Sequence, residues 1–261
     1  MVGRRKLRRG IYLLPTSLTT GNLCCGFFSL IEASRGHYEL AALLIVAAGV
    51  LDGLDGRIAR LTGTTSEFGV EFDSMADISS FGIAPAFLAY EWALQPFHRV
   101  GWLIAFLFVA CAATRLARFN IQHGGSDKRY FAGLPSPAAA GAVASVAFAF
   151  PEPPSQLGYS VLIGALVAAA ALLMVSHIRY RSFKGLDLKS PRSYLSVVAI
   201  VLVLVAVLVH PRSLMVIAGA YLLWGPASWL AGWLMRGRSA PREDRDISPS
   251  GEVVDGAPNR R

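Results

Sequence analysis

Charge is scarce in this sequence. Only 16% of its 261 residues are Asp, Glu, Lys or Arg, where soluble domains carry about 25%. Hydrophobic residues make up 54%. They gather into long blocks, mostly without the alternating polar faces that a water-soluble core of this length would need. Cysteine is sparse too. Cys24, Cys25 and Cys111 lie inside apolar segments and none has metal-ligand spacing. Adjacent Cys24 and Cys25 would make a strained bridge, so small buried hydrophobes are expected rather than a disulfide framework or a thiolate metal site. The formal charge of +8 does not indicate nucleic acid, because no basic face is interleaved with aromatics. The basic residues sit at the ends of apolar blocks, where anionic lipid headgroups are the expected partner. No small-residue cleavage site follows the basic start MVGRRKLRRG, which reads as a retained cytoplasmic tail rather than a signal peptide. No internal repeat of fixed period is visible, which counts against an inverted-repeat transporter.

What the chain does have is a series of apolar segments. A hydrocarbon core about 30 Å thick needs about 20 apolar residues per helix. Eight segments qualify: 16–34, 38–60, 73–92, 98–120, 133–150, 157–177, 193–209 and 212–234. The breaks between them fall on SRGH, QPFHR, PEPPSQLG and HPRS. An all-α integral membrane protein of about eight transmembrane helices is therefore expected. Residues 1–15 would form a basic N-terminal segment, 16–235 the membrane domain, and 236–261 a disordered polar tail. Basic residues crowd the connectors on one side, including Arg57, Arg60, Arg115, Arg118, Lys128 and Arg129, while the other side carries only Arg35, Arg99 and Arg212. Both termini and the connector after the second span are accordingly expected in the cytoplasm. The tryptophans Trp92, Trp102, Trp224, Trp229 and Trp233 are expected mostly at the membrane boundaries, and the five histidines lack ligand spacing.

The chemistry concentrates where the second span ends and the third begins. Asp52 and Asp55 are three residues apart, Asp73 and Asp77 four apart. At about 3.6 residues per turn each pair shares one helix face. A short connector makes the two helices antiparallel neighbours with the pairs facing each other. Ionised carboxylates within a span are costly, so a function is expected of them, and cations would have to neutralise their repulsion. All-oxygen ligation suits Mg²⁺ or Mn²⁺ rather than zinc, and two such ions would bridge a pyrophosphate. Gly56 removes a side chain where a phosphate or ribose approaches the helix. Arg60, one turn later, offers a fork of donors to phosphate oxygens.

Asp52-x2-Asp55-Gly56-x2-Ala59-Arg60-x8-Gly69-x3-Asp73-x3-Asp77 resembles the signature of the CDP-alcohol phosphotransferases, with every spacing kept. These are integral membrane enzymes that cleave a CDP-linked alcohol and release CMP. The resemblance implies their fold, and metal held by Asp52, Asp55 and Asp73. It implies that Asp77 both contacts metal and acts as the base that deprotonates the acceptor hydroxyl. It lays Gly56, Arg60 and Ser66, with Gly69 between the aspartate pairs, along the cytidine diphosphate, and it implies a homodimer.

Other stretches bear on the acceptor. LPTSLTTGNLCCGFFSL (residues 14–30), SEFGVEFDSMADISSFGIAPA, RLARFN (115–120) and YFAGLPSPAAAG (130–141) resemble the serine-accepting branch of that family. Together they cover the first half of the chain. Thr16 stands where that branch usually has Asn, whereas Thr19, Gly21 and Asn22 fit, which places Thr19 and Asn22 among the contacts to CDP-diacylglycerol. Serine is a small zwitterion whose carboxylate needs a cation. Arg115, Arg118 and Asn120, at the depth of the aspartates, are the expected acceptor or lipid-phosphate contacts, although positive-inside anchoring also accounts for the arginines. The expected reaction is phosphatidyl transfer from CDP-diacylglycerol to L-serine at the cytoplasmic face of a cell membrane. The alternatives are glycerol phosphate or inositol phosphate as acceptor, a divalent-cation transporter, and a non-catalytic lipid-binding scaffold.

Overall fold

A computed structural model describes residues 2–63, 66–122, 130–176, 179–181 and 211–236. Helices dominate: α1 (Val2–Ser34), α2 (Tyr38–Thr62), α3 (Glu67–Asp77), α4 (Ala84–Ala89), α5 (Arg99–Gln122), α6 (Ser136–Ala149), α7 (Leu157–Val175) and α8 (Pro211–Arg236). Each predicted apolar segment falls on helix except 193–209, which lies outside the described residues, as do Lys128, Arg129 and the tail beyond Arg236. The basic segment 1–15 is helical from Val2, and α1 runs on from it into the first apolar segment. The expected all-α fold gains one short ladder, β1 (Tyr130–Ala132) antiparallel to β2 (Arg179–Arg181). The connectors leaving α5 and α7 run side by side at the same end of the bundle, where their backbone groups satisfy one another.

Local chemistry sets the ends of the helices that carry the aspartates. α2 stops at Gly63, whose left-handed φ of 63° lets its N–H close back onto the carbonyl of Ala59. α3 begins at Ser66, whose Oγ accepts from the Gly69 N–H at 3.0 Å, with Glu67 in the first turn favouring the positive helix end. The third span is not one regular helix. After Asp77 it widens into a π-helical turn over Ile78–Ile83, resumes as α4, and widens again over Tyr90–Leu94. Pro85 at the start of α4 has no N–H to return to the preceding turn, and the widened turn before it accommodates that loss.

The core is built from small residues around a few large ones. Ala41, Ala42, Ala48, Ala139, Ala140, Ala144 and Ala147 are buried, and Phe81, Leu88, Leu94 and Phe108 fill the spaces between them. Such residues let helices approach closely, and α6 thereby packs on α2. α1 packs along much of α2 and also against α3, so it bridges the two aspartate-bearing helices. α1 comes close to the π-helical turn at Gly26, where an added Cβ would lie 2.9 Å from Ser80 Cα and closer still to its Oγ. Trp92, expected near a membrane boundary, is buried and donates from Nε1 to the carbonyl of Glu152, in the connector between α6 and α7, at 3.2 Å. Of the cysteines, Cys111 is buried as expected, whereas Cys24 faces outward.

Among the described residues two helices, over Arg99–Ile121 and Leu157–Val175, are long and apolar enough to cross a membrane. Most of each faces outward. Trp102, Leu103 and Phe106 on α5 and Leu162 and Leu172 on α7 are all more than half exposed. Continuous apolar exteriors of this kind are stabilised by hydrocarbon, not by water.

The Gly26 contact yields a test of this packing. Gly26→Ala is expected to destabilise the protein by about 1–3 kcal/mol, the usual cost of overpacking, seen as a lower thermal midpoint in detergent. Gly53→Ala, where an added Cβ meets no atom within 4 Å, is expected to leave the midpoint unchanged or slightly raised.

Candidate functional site

The two aspartate pairs meet at one end of the bundle. Carboxylate oxygens of Asp52 and Asp55 on α2 and of Asp73 on α3 all lie within 4.8 Å of one another. Asp55 is only 4% exposed, and Asp52 and Asp73 are half-buried. Three carboxylates at this spacing repel strongly unless a cation sits among them, and an all-oxygen donor set fits a hard divalent ion. Asp77, one turn beyond Asp73, lies outside this group of three but within electrostatic reach of all its members. α2 and α3 themselves share little packed surface, and the carboxylates meet in the cleft between these two helices, where Asp55 is almost wholly enclosed.

α1 holds both sides of that cleft. Thr19 and Asn22 are one turn apart and buried. Thr19 Oγ1 lies 2.9 Å from Asp55 Oδ2 and 3.1 Å from the Pro15 carbonyl, and donates to them. Asn22 Nδ2 donates to Asp77 Oδ1 at 3.4 Å. The Asn22 backbone carbonyl accepts from buried Ser80 Oγ at 3.0 Å, which fixes α1 against the π-helical turn. Thr19 and Asn22 were expected to touch the nucleotide lipid. The structure gives each a carboxylate partner, one from each aspartate pair. The remaining amide oxygen of Asn22, Oδ1, is buried and has no hydrogen-bond partner among the described residues. It adds a neutral oxygen acceptor beside Asp77.

The other expected residues divide by position. Gly56 lies on an open face of α2, where an added Cβ would meet nothing within 4 Å. Arg60 belongs to the last turns of α2, but its side chain lies outside the described residues. Ser66 and Gly69 bond to each other as the cap of α3. Asn120 Nδ2 donates to Ser74 Oγ at 3.0 Å and so ties the end of α5 to α3, beside Asp73. Arg118 is exposed and donates to the Val175 carbonyl at 3.1 Å, closing the end of α7. Arg115 is half-buried, donates from Nη1 to Ser136 Oγ at 2.8 Å, and lies within electrostatic reach of Asp77. Ser74, Ser80 and Ser136 escaped the sequence reading. Serine in an apolar helix carries no spacing signal, and only GLPSP marked the neighbourhood of Ser136.

Fold and site define a helical-bundle protein with an apolar exterior and, at one end, an acidic centre that could hold a hard cation. A family model described as CDP-alcohol phosphatidyltransferase matches residues 12–178. A CDP-diacylglycerol–serine O-phosphatidyltransferase of Helicobacter pylori is 40% identical over 84% of this chain and 92% of its own length. The Bacillus subtilis protein of the same name is 32% identical over 66% of this chain and 91% of its own length. An archaetidylserine synthase of Methanothermobacter thermautotrophicus is 36% identical over 66% of this chain and 71% of its own length. The chain belongs to the CDP-alcohol phosphatidyltransferase family, whose members are membrane-associated and act with divalent metal.

Because Thr19 orients a carboxylate of the triad, its removal should weaken metal binding rather than abolish it. Thr19→Val is expected to lower Mn²⁺ affinity by about 10–100-fold. The check is a Mn²⁺ titration followed by electron paramagnetic resonance, with no substrate present.

Proposed function

We propose that this protein transfers the phosphatidyl group of CDP-diacylglycerol to the hydroxyl of L-serine and releases CMP. The observation that carries the reading is the cleft in which Asp52, Asp55 and Asp73 converge with Asp77 alongside. The names of the relatives support serine as the acceptor. We further read the chain as a multi-pass membrane protein of about eight spans. Its termini and cleft would face the cytoplasm, the side on which the basic connectors lie.

Asp52, Asp55 and Asp73 would hold Mg²⁺ or Mn²⁺, with Asp77 at the edge of the same site. When bound, the metal supplies positive charge for the pyrophosphate and for the departing phosphate. The protein's own groups do the rest. The open face of α2 at Gly56 admits the nucleotide diphosphate, and Arg60 offers donors to its phosphate oxygens. Asp77, with one oxygen engaged by Asn22, takes the serine hydroxyl proton on the other. The serine oxygen then bonds to the phosphorus that bears diacylglycerol, the bridging P–O bond breaks, and CMP leaves with that bond's electron pair. Arg115 is the cation available for the serine carboxylate. Thr19 and Asn22 act by orienting the aspartates, and Asn120 acts through Ser74. The diacylglycerol chains would enter sideways from the lipid, through the cleft between α2 and α3. Assembly as a homodimer is part of the same family reading.

Two measurements test this. CDP-diacylglycerol is offered to the purified protein with labelled serine, glycerol phosphate or inositol phosphate in turn. Product is expected with serine, and product with glycerol phosphate alone would overturn the choice of acceptor. Asp77→Asn is expected to lower kcat by about 10²–10⁴-fold, the usual share of a general base. Full activity in that variant would remove Asp77 from the role.

A further inference from the structure

The turn that opens α6 is unusually constrained. Gly133 takes φ of 84°, a conformation that side chains disfavour, and an added Cβ there would strike the Met174 carbonyl. Next to it, the N–H of fully buried Leu134 donates to the Leu173 carbonyl at 2.9 Å. Ser136 follows as the first residue of α6, between Pro135 and Pro137, whose rings fix φ on both sides. It is 3% exposed. A hydroxyl so enclosed, on a backbone so stiff, has little freedom to move.

That hydroxyl accepts from Arg115 Nη1 at 2.8 Å. The guanidinium is held on a second side by the ring of Phe119, 6.0 Å from its centroid. On the opposite edge of the fork, Nε is buried and has no hydrogen-bond partner among the described residues. Nε and the neighbouring Nη2 form the edge with which arginine grips a carboxylate through two parallel bonds. A buried donor left unpaired is unfavourable, and a ligand oxygen would relieve it. The charge lies within electrostatic reach of Asp77. The positive end of α6 begins at the same serine and favours an anion there as well.

We infer that Ser136 is a positioning residue that sets acceptor specificity: it holds Arg115 so that the Nε edge of its guanidinium receives the carboxylate of the acceptor amino acid. The inference rests on the proposed reading of serine as acceptor and of Arg115 as its carboxylate partner. The carboxylate distinguishes serine from ethanolamine, which carries the same amine and hydroxyl without it. Ser136 therefore acts on the choice between those two alcohols and leaves the nucleotide lipid untouched.

The test compares wild type, Ser136→Ala, Ser136→Thr, Arg115→Lys and Arg115→Ala in nanodiscs with CDP-diacylglycerol and saturating Mn²⁺. Ser136→Ala is expected to raise KM for serine about tenfold, the usual effect of losing one hydrogen bond to a charged group. Its kcat and its KM for CDP-diacylglycerol should stay near wild type, and its preference for serine over ethanolamine should fall by the same factor. Ser136→Thr, which keeps the hydroxyl, should restore KM. An unchanged KM for serine in Ser136→Ala overturns the inference. So does an equal loss toward serine and ethanolamine, or toward the nucleotide lipid, since a merely structural serine would behave that way. If both Arg115 variants keep the wild-type KM for serine, the reading of Arg115 itself has failed. If they raise it while Ser136→Ala does not, only the role of Ser136 has. Should Ser136→Ala not fold, Ser136→Cys, of similar size and with a weaker acceptor, takes its place.

Discussion

The mutual repulsion of carboxylates at one end of an apolar bundle is the constraint around which this structure is arranged. Asp52, Asp55 and Asp73 bring their oxygens within 4.8 Å of one another, with Asp77 a turn away. Water cannot screen such charges when they lie in or near hydrocarbon. The bundle answers with a polar edge on α1, beside the carboxylates. Thr19 donates into one aspartate pair and Asn22 into the other, so a single turn of α1 governs the relative placement of both. The closeness of Gly26 to Ser80 keeps that turn in place, and the bond from Ser80 to the Asn22 carbonyl makes the contact directional.

The irregular backbone follows from the same need. The π-helical turn that begins immediately after Asp77 rotates the rest of the third span relative to α3. Asp73 and Asp77 can then face the cleft while Phe81 and Leu88 turn into the core. On the far side, the ties from Asn120 to Ser74 and from Arg118 to the Val175 carbonyl bring the ends of α3, α5 and α7 to one level. The basic side chains of α5 are therefore structural braces as well as charges.

Much of this was legible from residue order, for definite reasons. Spacings of three and four place paired aspartates on one helix face whatever surrounds them, and long apolar blocks leave few choices of architecture. The partners of the aspartates were not legible. A threonine and an asparagine one turn apart announce a polar edge on α1 but not what lies opposite, and the structure adds their bonds to Asp55 and Asp77. Ser66 and Gly69 had the same ambiguity, since a helix cap and a phosphate contact ask for the same small residues. Nor does residue order announce that Trp92 is buried with its indole bonded to the Glu152 carbonyl.

The outward apolar faces of α5 and α7, set against an acidic cleft at one end, have a consequence for how the protein senses supply. On the reading proposed above, its two reactants are counted in different units. A double-chain lipid reaches the cleft as a mole fraction of the bilayer, diluted by every other lipid in the plane and indifferent to the volume of the cell. A free amino acid arrives as a molarity in the aqueous phase. A protein standing in both phases therefore multiplies an areal density by a volume concentration. Its output can rise when a membrane is enriched in one lipid even though nothing dissolved in the cell has changed.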